Sequence, residues 1–225
     1  MRLVTFRPGE REQRLGALLP GNRVLDLGIA SDGAPEFVSM LALIEAGPGA
    51  WERARGLAGN PAAKGVRDEA KLVLLAPLPC PPQVRDFMCF EKHVIQAFGA
   101  AFRMRATRAT TPEEKAALVS GPGDTIRWPA YSRLMDYECE LACVIGTAGA
   151  DIPRARAREH IFGYTIFNDF SARDAQGAEM AGGLGPAKGK DFDGANAFGP
   201  CIVTADEIPD PYDLPMIVRV NGEER

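Results

Sequence analysis

Two acidic residues on one predicted strand are the sharpest chemical feature of the sequence. In Asp136-Tyr137-Glu138-Cys139-Glu140-Leu141-Ala142-Cys143-Val144-Ile145, apolar and polar residues alternate as they do along a β-strand. Tyr137, Cys139, Leu141, Cys143 and Ile145 then form one face, an apolar set expected to enter a core. Glu138 and Glu140 share the other face, with Cα atoms about 6.6 Å apart from the strand rise. Two carboxylates at that separation repel by about 2–3 kcal/mol at an effective dielectric of about 20. Two readings stand open here. A sheet surface facing water tolerates the repulsion as a solvated acidic face, the commoner case for an isolated Glu-x-Glu, whereas an enclosed surface needs a cation between the pair. Further on, Tyr164-Thr165-Ile166-Phe167-Asn168-Asp169 is an apolar strand that delivers Asp169 at its end, and Ser171-Ala172-Arg173-Asp174 reads as a helix start capped by Ser171. Three carboxylates without His or Cys make a hard-cation set for Mg²⁺, Mn²⁺ or Ca²⁺. Zinc calls for softer ligands.

The sequence holds two histidines. His160 closes a predicted helix that begins near Pro153, where an imidazole interacts well with the helix dipole, a structural role. His93 lies at the edge of the apolar stripe Phe90, Val94, Phe98, Phe102 of a helix predicted over 90–102. A lone histidine there is ordinarily packed or at the surface, and a role as general base depends on its neighbours in space. Gly182-Gly183-Leu184-Gly185-Pro186-Ala187-Lys188-Gly189-Lys190 imitates a phosphate loop. However, Leu184 stands where the first glycine belongs, and Asp191 stands where Ser or Thr must follow the lysine. A Gly-rich loop ending in Lys190 can still aim an ammonium at an anionic substrate. No GxSxG, HExxH or CxxC motif is present, which removes the common serine-hydrolase and zinc-protease readings.

These residues need elements to carry them. The chain has 225 residues, 46% hydrophobic and 25% charged, a globular balance that excludes a mostly disordered chain. No apolar run approaches the ~20 residues of a membrane span, and the N-terminus reads as a strand and not as a secretion signal. Net charge is −4 and the pI about 5.4, against nucleic-acid binding. Five cysteines without CxxC spacing fit a reducing cytoplasm. Arg14 to Leu19 and Val24 to Leu27 read as strands joined by Pro20-Gly21-Asn22. A helix follows from Pro35 through Phe37, Met40, Leu41 and Ile44, stopped by Gly47-Pro48, and Lys71 to Leu75 reads as a buried strand. Pro77, Pro79, Pro81 and Pro82 force an extended connector, which sets a boundary between residues 1–75 and 76–225. Thr111-Pro112-Glu113-Glu114 is a capping-box pattern that opens a short helix. Arg103, Arg105 and Arg108 precede it, as a solvated linker or as a lid over a site. Ile202 to Thr204 and Met216 to Val220 are further strands. Asn221-Gly222 is a hairpin signal, so a sheet edge is expected there that more polypeptide or another chain completes.

Asp136-Tyr137-Glu138-Cys139-Glu140, the run from Gly163 to Gln176, Gly189-Lys190-Asp191-Phe192 and the run from Gly199 to Ile208, in this order and spacing, together resemble the fumarylacetoacetate hydrolase family. The resemblance implies an α+β, β-rich fold. A mixed β-roll or β-sandwich catalytic domain would occupy 76–225, C-terminally incomplete, behind a small N-terminal α/β domain. It implies a homodimer holding one divalent cation per chain, with Mg²⁺ foremost and Mn²⁺ or Ca²⁺ next. By position, the metal ligands would be Glu138, Glu140, Asp169 and, from Arg85-Asp86-Phe87, Asp86. His93 would activate water. Lys190 would face the developing oxyanion, and Arg103, Arg173 and Gln176 would contact the substrate. The activity implied is hydrolysis of a C–C bond in a small 2-oxo or 1,3-diketo acid, acylpyruvate or fumarylacetoacetate-like. The same enolate chemistry serves decarboxylation of a 2-oxo diacid and keto–enol isomerisation. A different reading is a catalytically incomplete metal-binding subunit, since the family continues past Arg225.

Overall fold

The computed structural model describes residues 1–9, 12–61, 64–87, 105–106, 111–180, 182 and 185–225. The helix expected over 90–102, with His93, and Arg103, expected to contact the substrate, lie outside the described residues.

The chain opens with an antiparallel meander of three strands: β1 (Arg2–Arg7), β2 (Arg14–Leu19) and β3 (Arg23–Asp26). Gly21 and Asn22 take left-handed φ in the turn between the last two, the backbone that Gly and Asn tolerate best. Asp26 then caps a single turn, α1 (Leu27–Ala30), by accepting from the Ile29 N–H. The one helix expected from Pro35 to Ile44 is broken. A 3₁₀ turn at Pro35–Phe37 precedes α2 (Met40–Glu45), because Ser39 takes an extended backbone and its hydroxyl caps Ala42 N–H. Gly47-Pro48 both ends α2 and begins α3 (Pro48–Gly59), proline being tolerated in a first turn that lacks N–H partners. After β4 (Val66–Asp68), the buried strand expected at Lys71–Leu75 shrinks to β5 (Val73–Leu74), and Val73 is 59% exposed.

Past the prolines come two-residue strands β6 (Arg85–Asp86) and β7 (Arg105–Ala106), which pair with each other. The Thr111 capping box is present and opens α4 (Pro112–Ala117), followed by β8 (Val119–Ser120). Next are β9 (Met135–Asp136), β10 (Cys139–Ile145), β11 (Ile161–Asp169) and β12 (Ser171–Ala172). The helix expected near Pro153 is instead a run of 3₁₀ turns, Arg154–His160, and the His160 ring contacts the Thr147 carbonyl at 2.9 Å. α5 (Arg173–Met180), β13 (Asn196–Thr204) and the hairpin β14 (Arg219–Val220) and β15 (Glu223–Glu224) complete the chain. Asn221 and Gly222 sit at φ 53° and 85°, the two positive angles such a hairpin turn requires. Only Arg219 and Val220 of the strand expected over Met216–Val220 are paired.

One sheet runs through both halves of the chain in the order β10-β11-β13-β1-β2-β3-β4, with β5 beside β1 and β8 beside β13. The seam is β1 against β13, with Leu3 opposite Ile202. Its main core joins Leu3, Leu15, Leu25 and Ile202 of the sheet to Phe37, Met40 and Leu43 of the leading segment and to Phe162 of β11. Trp51 of α3 meets the Phe162 ring edge-on at 5.0 Å. The architecture is the β-rich α+β fold expected, and no described helix is long and apolar enough to cross a membrane. The face expected to enter the core is an exception. Leu141 and Ile145 of β10 and Ile166 of β11 are exposed, because β10 is the outer strand and no described element packs over that face.

Ile202→Ala removes packing from a fully buried site at the seam and is expected to lower unfolding stability by about 2–5 kcal/mol. In a Trp128→Phe background, Trp51 fluorescence and far-UV circular dichroism should lose structure at one common denaturant midpoint, since both probes report on the shared sheet.

Candidate metal centre

The ladder between β10 and β11 sets the first two groups of the site. Cys139 stands opposite Asn168 and Glu140 opposite Phe167, and the register runs Asp169 on beyond the start of β10, beside Glu138. There Asp169 N–H donates to the Glu138 carbonyl at 3.2 Å, while Asn168 Oδ1 accepts from Glu138 N–H at 3.2 Å. Phe167 stacks on Phe198 of β13, ring centres 4.5 Å apart, flooring the strand pair beside Glu140. Asp86 arrives from the short β6. Oxygens of Asp86, Glu140 and Asp169 all lie within 4.8 Å of one another, and Asp169 is fully buried.

Lys190 enters this acidic space as a buried cation, its side chain 3% exposed, with Nζ 2.7 Å from both Glu138 Oε1 and Asp169 Oδ2. Arg173, at the start of α5, makes a fork to Asp136: Nε and Nη2 both lie 2.8 Å from Oδ2. Its Nη1 reaches Glu138 Oε1 at 2.5 Å and donates to Gln176 Oε1 at 3.0 Å. The Ser171 hydroxyl does not cap the helix. It lies 3.0 Å from the Asp169 carbonyl and 3.3 Å from Glu138 Oε1, because Ser171 is held in β12 opposite Asp136.

The charges are unevenly discharged. For Glu138, burial alone would raise the carboxyl, but Lys190 and Arg173 outweigh it and hold the group down at about 2. Glu140 goes the other way. Burial first, then the charges of Asp86, Glu138 and Asp169, push it up to about 9. Three hard oxygen donors converge, and one of them, Glu140, holds a proton at neutral pH because burial and the neighbouring carboxylates disfavour its charge. Such a donor set suits a divalent cation of the Mg²⁺, Mn²⁺ or Ca²⁺ kind.

Of the four ligands expected from the sequence, Asp86, Glu140 and Asp169 are brought together, while Glu138 turns to Lys190 and Arg173. Gln176 and Arg173 are adjacent, as expected of groups one helical turn apart, and Lys190 lies at the carboxylates. His93 and Arg103 are outside the described residues. Asp136 was missed. A signal for it was present, since Asp136, Glu138 and Glu140 alternate and so share a strand face, and Arg173 needs a carboxylate to hold its fork.

Residues 83–225 match the family description Fumarylacetoacetate (FAA) hydrolase C-terminal. The mitochondrial oxaloacetate tautomerase fahd2 of Xenopus laevis is 32% identical over 232 residues, covering 99% of this chain and 68% of its own. Other curated relatives are 41–42% identical over about half of this chain and about a third of their own length. Among solved structures, the fumarylacetoacetate hydrolase of psychrophilic Exiguobacterium antarcticum superposes with a TM-score of 0.72 at 29% identity, covering all of this chain and 74% of that one. Maleylpyruvate hydrolase of Sphingobium sp. SYK-6, in complex with manganese(II) and pyruvate, gives a TM-score of 0.68 at 25% identity over 94% of this chain and 70% of that one. Matched in sequence over residues 83–225 and in architecture along its whole length, the chain belongs to the fumarylacetoacetate hydrolase family.

Proposed function

We propose that the chain is a divalent-cation-dependent enzyme of small 2-oxo acids that works by stabilising an enolate, with keto–enol tautomerisation of a 2-oxo diacid as its reaction. The observation that carries this reading is the convergence of Asp86, Glu140 and Asp169 beside a buried lysine. The likeness to an oxaloacetate tautomerase along 99% of the chain favours tautomerisation. Asp86, Glu140 and Asp169 would hold the cation, with Glu138 joining them when Arg173 turns toward substrate. Mg²⁺ is the first candidate, and Mn²⁺ is supported by the manganese complex of the maleylpyruvate hydrolase. When bound, the cation supplies Lewis acidity at the 2-oxo group. Lys190 presents its ammonium where the enolate oxygen develops negative charge, in a water-poor setting that strengthens the interaction. The Arg173 fork suits a substrate carboxylate, and Gln176 orients that guanidinium through its amide oxygen. Arg103 would add a second positive charge.

A second reading is C–C bond hydrolysis of an acylpyruvate or fumarylacetoacetate-like acid, favoured by the likeness to maleylpyruvate hydrolase. His93 would then take the proton of the attacking water. The proposal includes a homodimer, supported by the exposed apolar face of Leu141, Ile145 and Ile166, and a cytoplasmic setting, which the unbridged thiols of Cys139, Cys143 and Cys201 fit.

Oxaloacetate, followed by loss of enol absorbance, and an acylpyruvate, followed by its cleavage, decide between the two reactions. Lys190→Met should lower kcat about 10²-fold or more while moving KM little. An Mn²⁺-loaded chain inert on both substrates would leave only the metal-binding subunit.

Glu140 holds its proton up to about 9, so cation binding must release it. Mn²⁺ affinity is therefore expected to rise with pH between about 6 and 8, by up to tenfold per unit. Calorimetry in buffers of different ionisation enthalpy should count close to one proton released. Glu140→Gln should abolish that release and weaken binding about 100-fold. A folded value above that of a free carboxylate means that ionising Glu140 destabilises the metal-free fold, so stability falls as pH rises toward 9 and Mn²⁺ restores it.

Ile145→Glu together with Ile166→Glu is expected to shift the sedimentation of the chain from dimer to monomer.

A further inference from the structure

We propose that Glu179 is a positioning residue that fixes Lys190 within the acidic cluster, an inference that rests on the reading of that cluster given above. Glu179 lies in the last turn of α5, three residues beyond Gln176, which is itself three beyond Arg173, so the three fall along one stripe of the helix. Its carboxylate accepts three successive backbone N–H groups: Ala187 at 2.8 Å, Lys188 at 2.8 Å and Gly189 at 3.0 Å. Successive amides converging on one point form an anion nest, and bonds to an ionised acceptor are the stronger kind. Here the chain fills its own nest, so α5 dictates the shape of the segment that ends in Lys190.

Two further contacts seat that segment. The Gly189 carbonyl accepts from Ala172 N–H at 2.8 Å, just ahead of α5. A Cβ on Gly189 would fall 2.7 Å from Gln176 Cα and 2.8 Å from its N, so only glycine lets the loop lie directly on the helix backbone. On the outer side, the Tyr131 hydroxyl donates to the Lys188 carbonyl at 2.6 Å. Two residues beyond Lys188 stands Lys190, whose N–H donates to the Ala187 carbonyl at 3.1 Å and whose Nζ lies 2.7 Å from both Glu138 and Asp169. A lysine has a long flexible stem, and its charge is placed only as well as its backbone is held. Through Glu179, one helix therefore carries Arg173 and Gln176 and also sets where the Lys190 ammonium stands.

The test uses Glu179→Gln and Glu179→Ala in the metal-free full chain, with an acylating reagent and residue-by-residue readout by mass spectrometry. Labelling of Lys190 is expected to accelerate about tenfold or more through local opening, with faster amide exchange over 187–190, while Lys64 and Lys71 keep their rates. Unchanged Lys190 labelling in both variants overturns the proposal, as does acceleration of all buried amides together or failure of both variants to fold. In turnover, Glu179→Gln is expected to lower kcat about tenfold with KM nearly unchanged, and to have no effect in a Lys190→Met background. An equal loss in both backgrounds also overturns it. If the unsubstituted chain turns over no 2-oxo acid, the functional reading falls alone, and the labelling result still decides the role of Glu179.

Discussion

Lys190 Nζ stands 2.7 Å from Glu138 and 2.7 Å from Asp169, in a side chain only 3% exposed. Burial of this kind strengthens the Coulombic attraction but sets desolvation against it, so neither partner can stand alone. The lysine discharges Glu138 and Asp169 and leaves Glu140 facing Asp86 and Asp169. Oxygens of Asp86, Glu140 and Asp169 at separations up to 4.8 Å repel pairwise by about 3 kcal/mol at an effective dielectric of about 20. That repulsion must be relieved by a proton or by a metal. Glu140, pushed up to about 9, carries the proton. Proton and cation therefore compete for one seat, and the rest of the site is arranged around keeping that seat negative but not intolerably so.

The fold makes the gathering rigid by running one strand between core and site. β13 pairs with Leu3 of the leading segment near its C-terminal end and with Asp169 at Asn196, its first residue. Between them, Phe198 stacks under Phe167, the residue opposite Glu140. The residues of the site are themselves mostly at element ends: Asp169 closes β11, Arg173 opens α5 and Asp86 ends the two-residue β6. The nine-stranded sheet holds Asp169 directly, whereas Asp86 ends a strand of the separate β6–β7 pair and Arg173 follows the separate β12–β9 pair. An apolar group of Ala172, Phe192 and Ala195, with Met135 and Phe170 packed against it, forms a small cluster of its own.

Local features of the sequence were legible because their physics is local. The Thr111 capping box, the Asn221-Gly222 turn and the period-two placement of Glu138 and Glu140 on one face depend on residues a few positions apart. Asp169 at a strand end was legible for the same reason. Which face would be covered was not, since alternation assigns residues to faces but says nothing of what packs over them, and the apolar side of β10 is the exposed one. The break at Ser39 was hidden because the apolar spacing of Phe37, Met40 and Ile44 continues across it, while the serine side chain diverts the backbone. Asp86 reaches the cluster from a segment distant in sequence, and nothing in its own neighbourhood announces the partner carboxylates. The turning of Glu138 toward Arg173 depends on Asp136 holding the guanidinium, a three-body arrangement that pairwise spacing does not reveal.

Asp169 belongs to both halves of the site at once, to the lysine pair and to the convergent carboxylates. Any positive charge added among Asp86, Glu140 and Asp169 draws on the same Asp169 charge that holds Lys190, so the ammonium becomes freer to serve another oxyanion as the cluster is neutralised. Glu138 behaves in parallel. It is held by Lys190 and Arg173 together, and a substrate carboxylate that claims Arg173 leaves Glu138 with one cation fewer and a stronger pull toward a metal. Neutralising the cluster and engaging an anionic substrate are thus mutually reinforcing, because each releases a group that the other needs. That coupling favours a dianionic or oxyanion-forming partner over a neutral molecule, which is the charge pattern that the proposed small 2-oxo acid would bring.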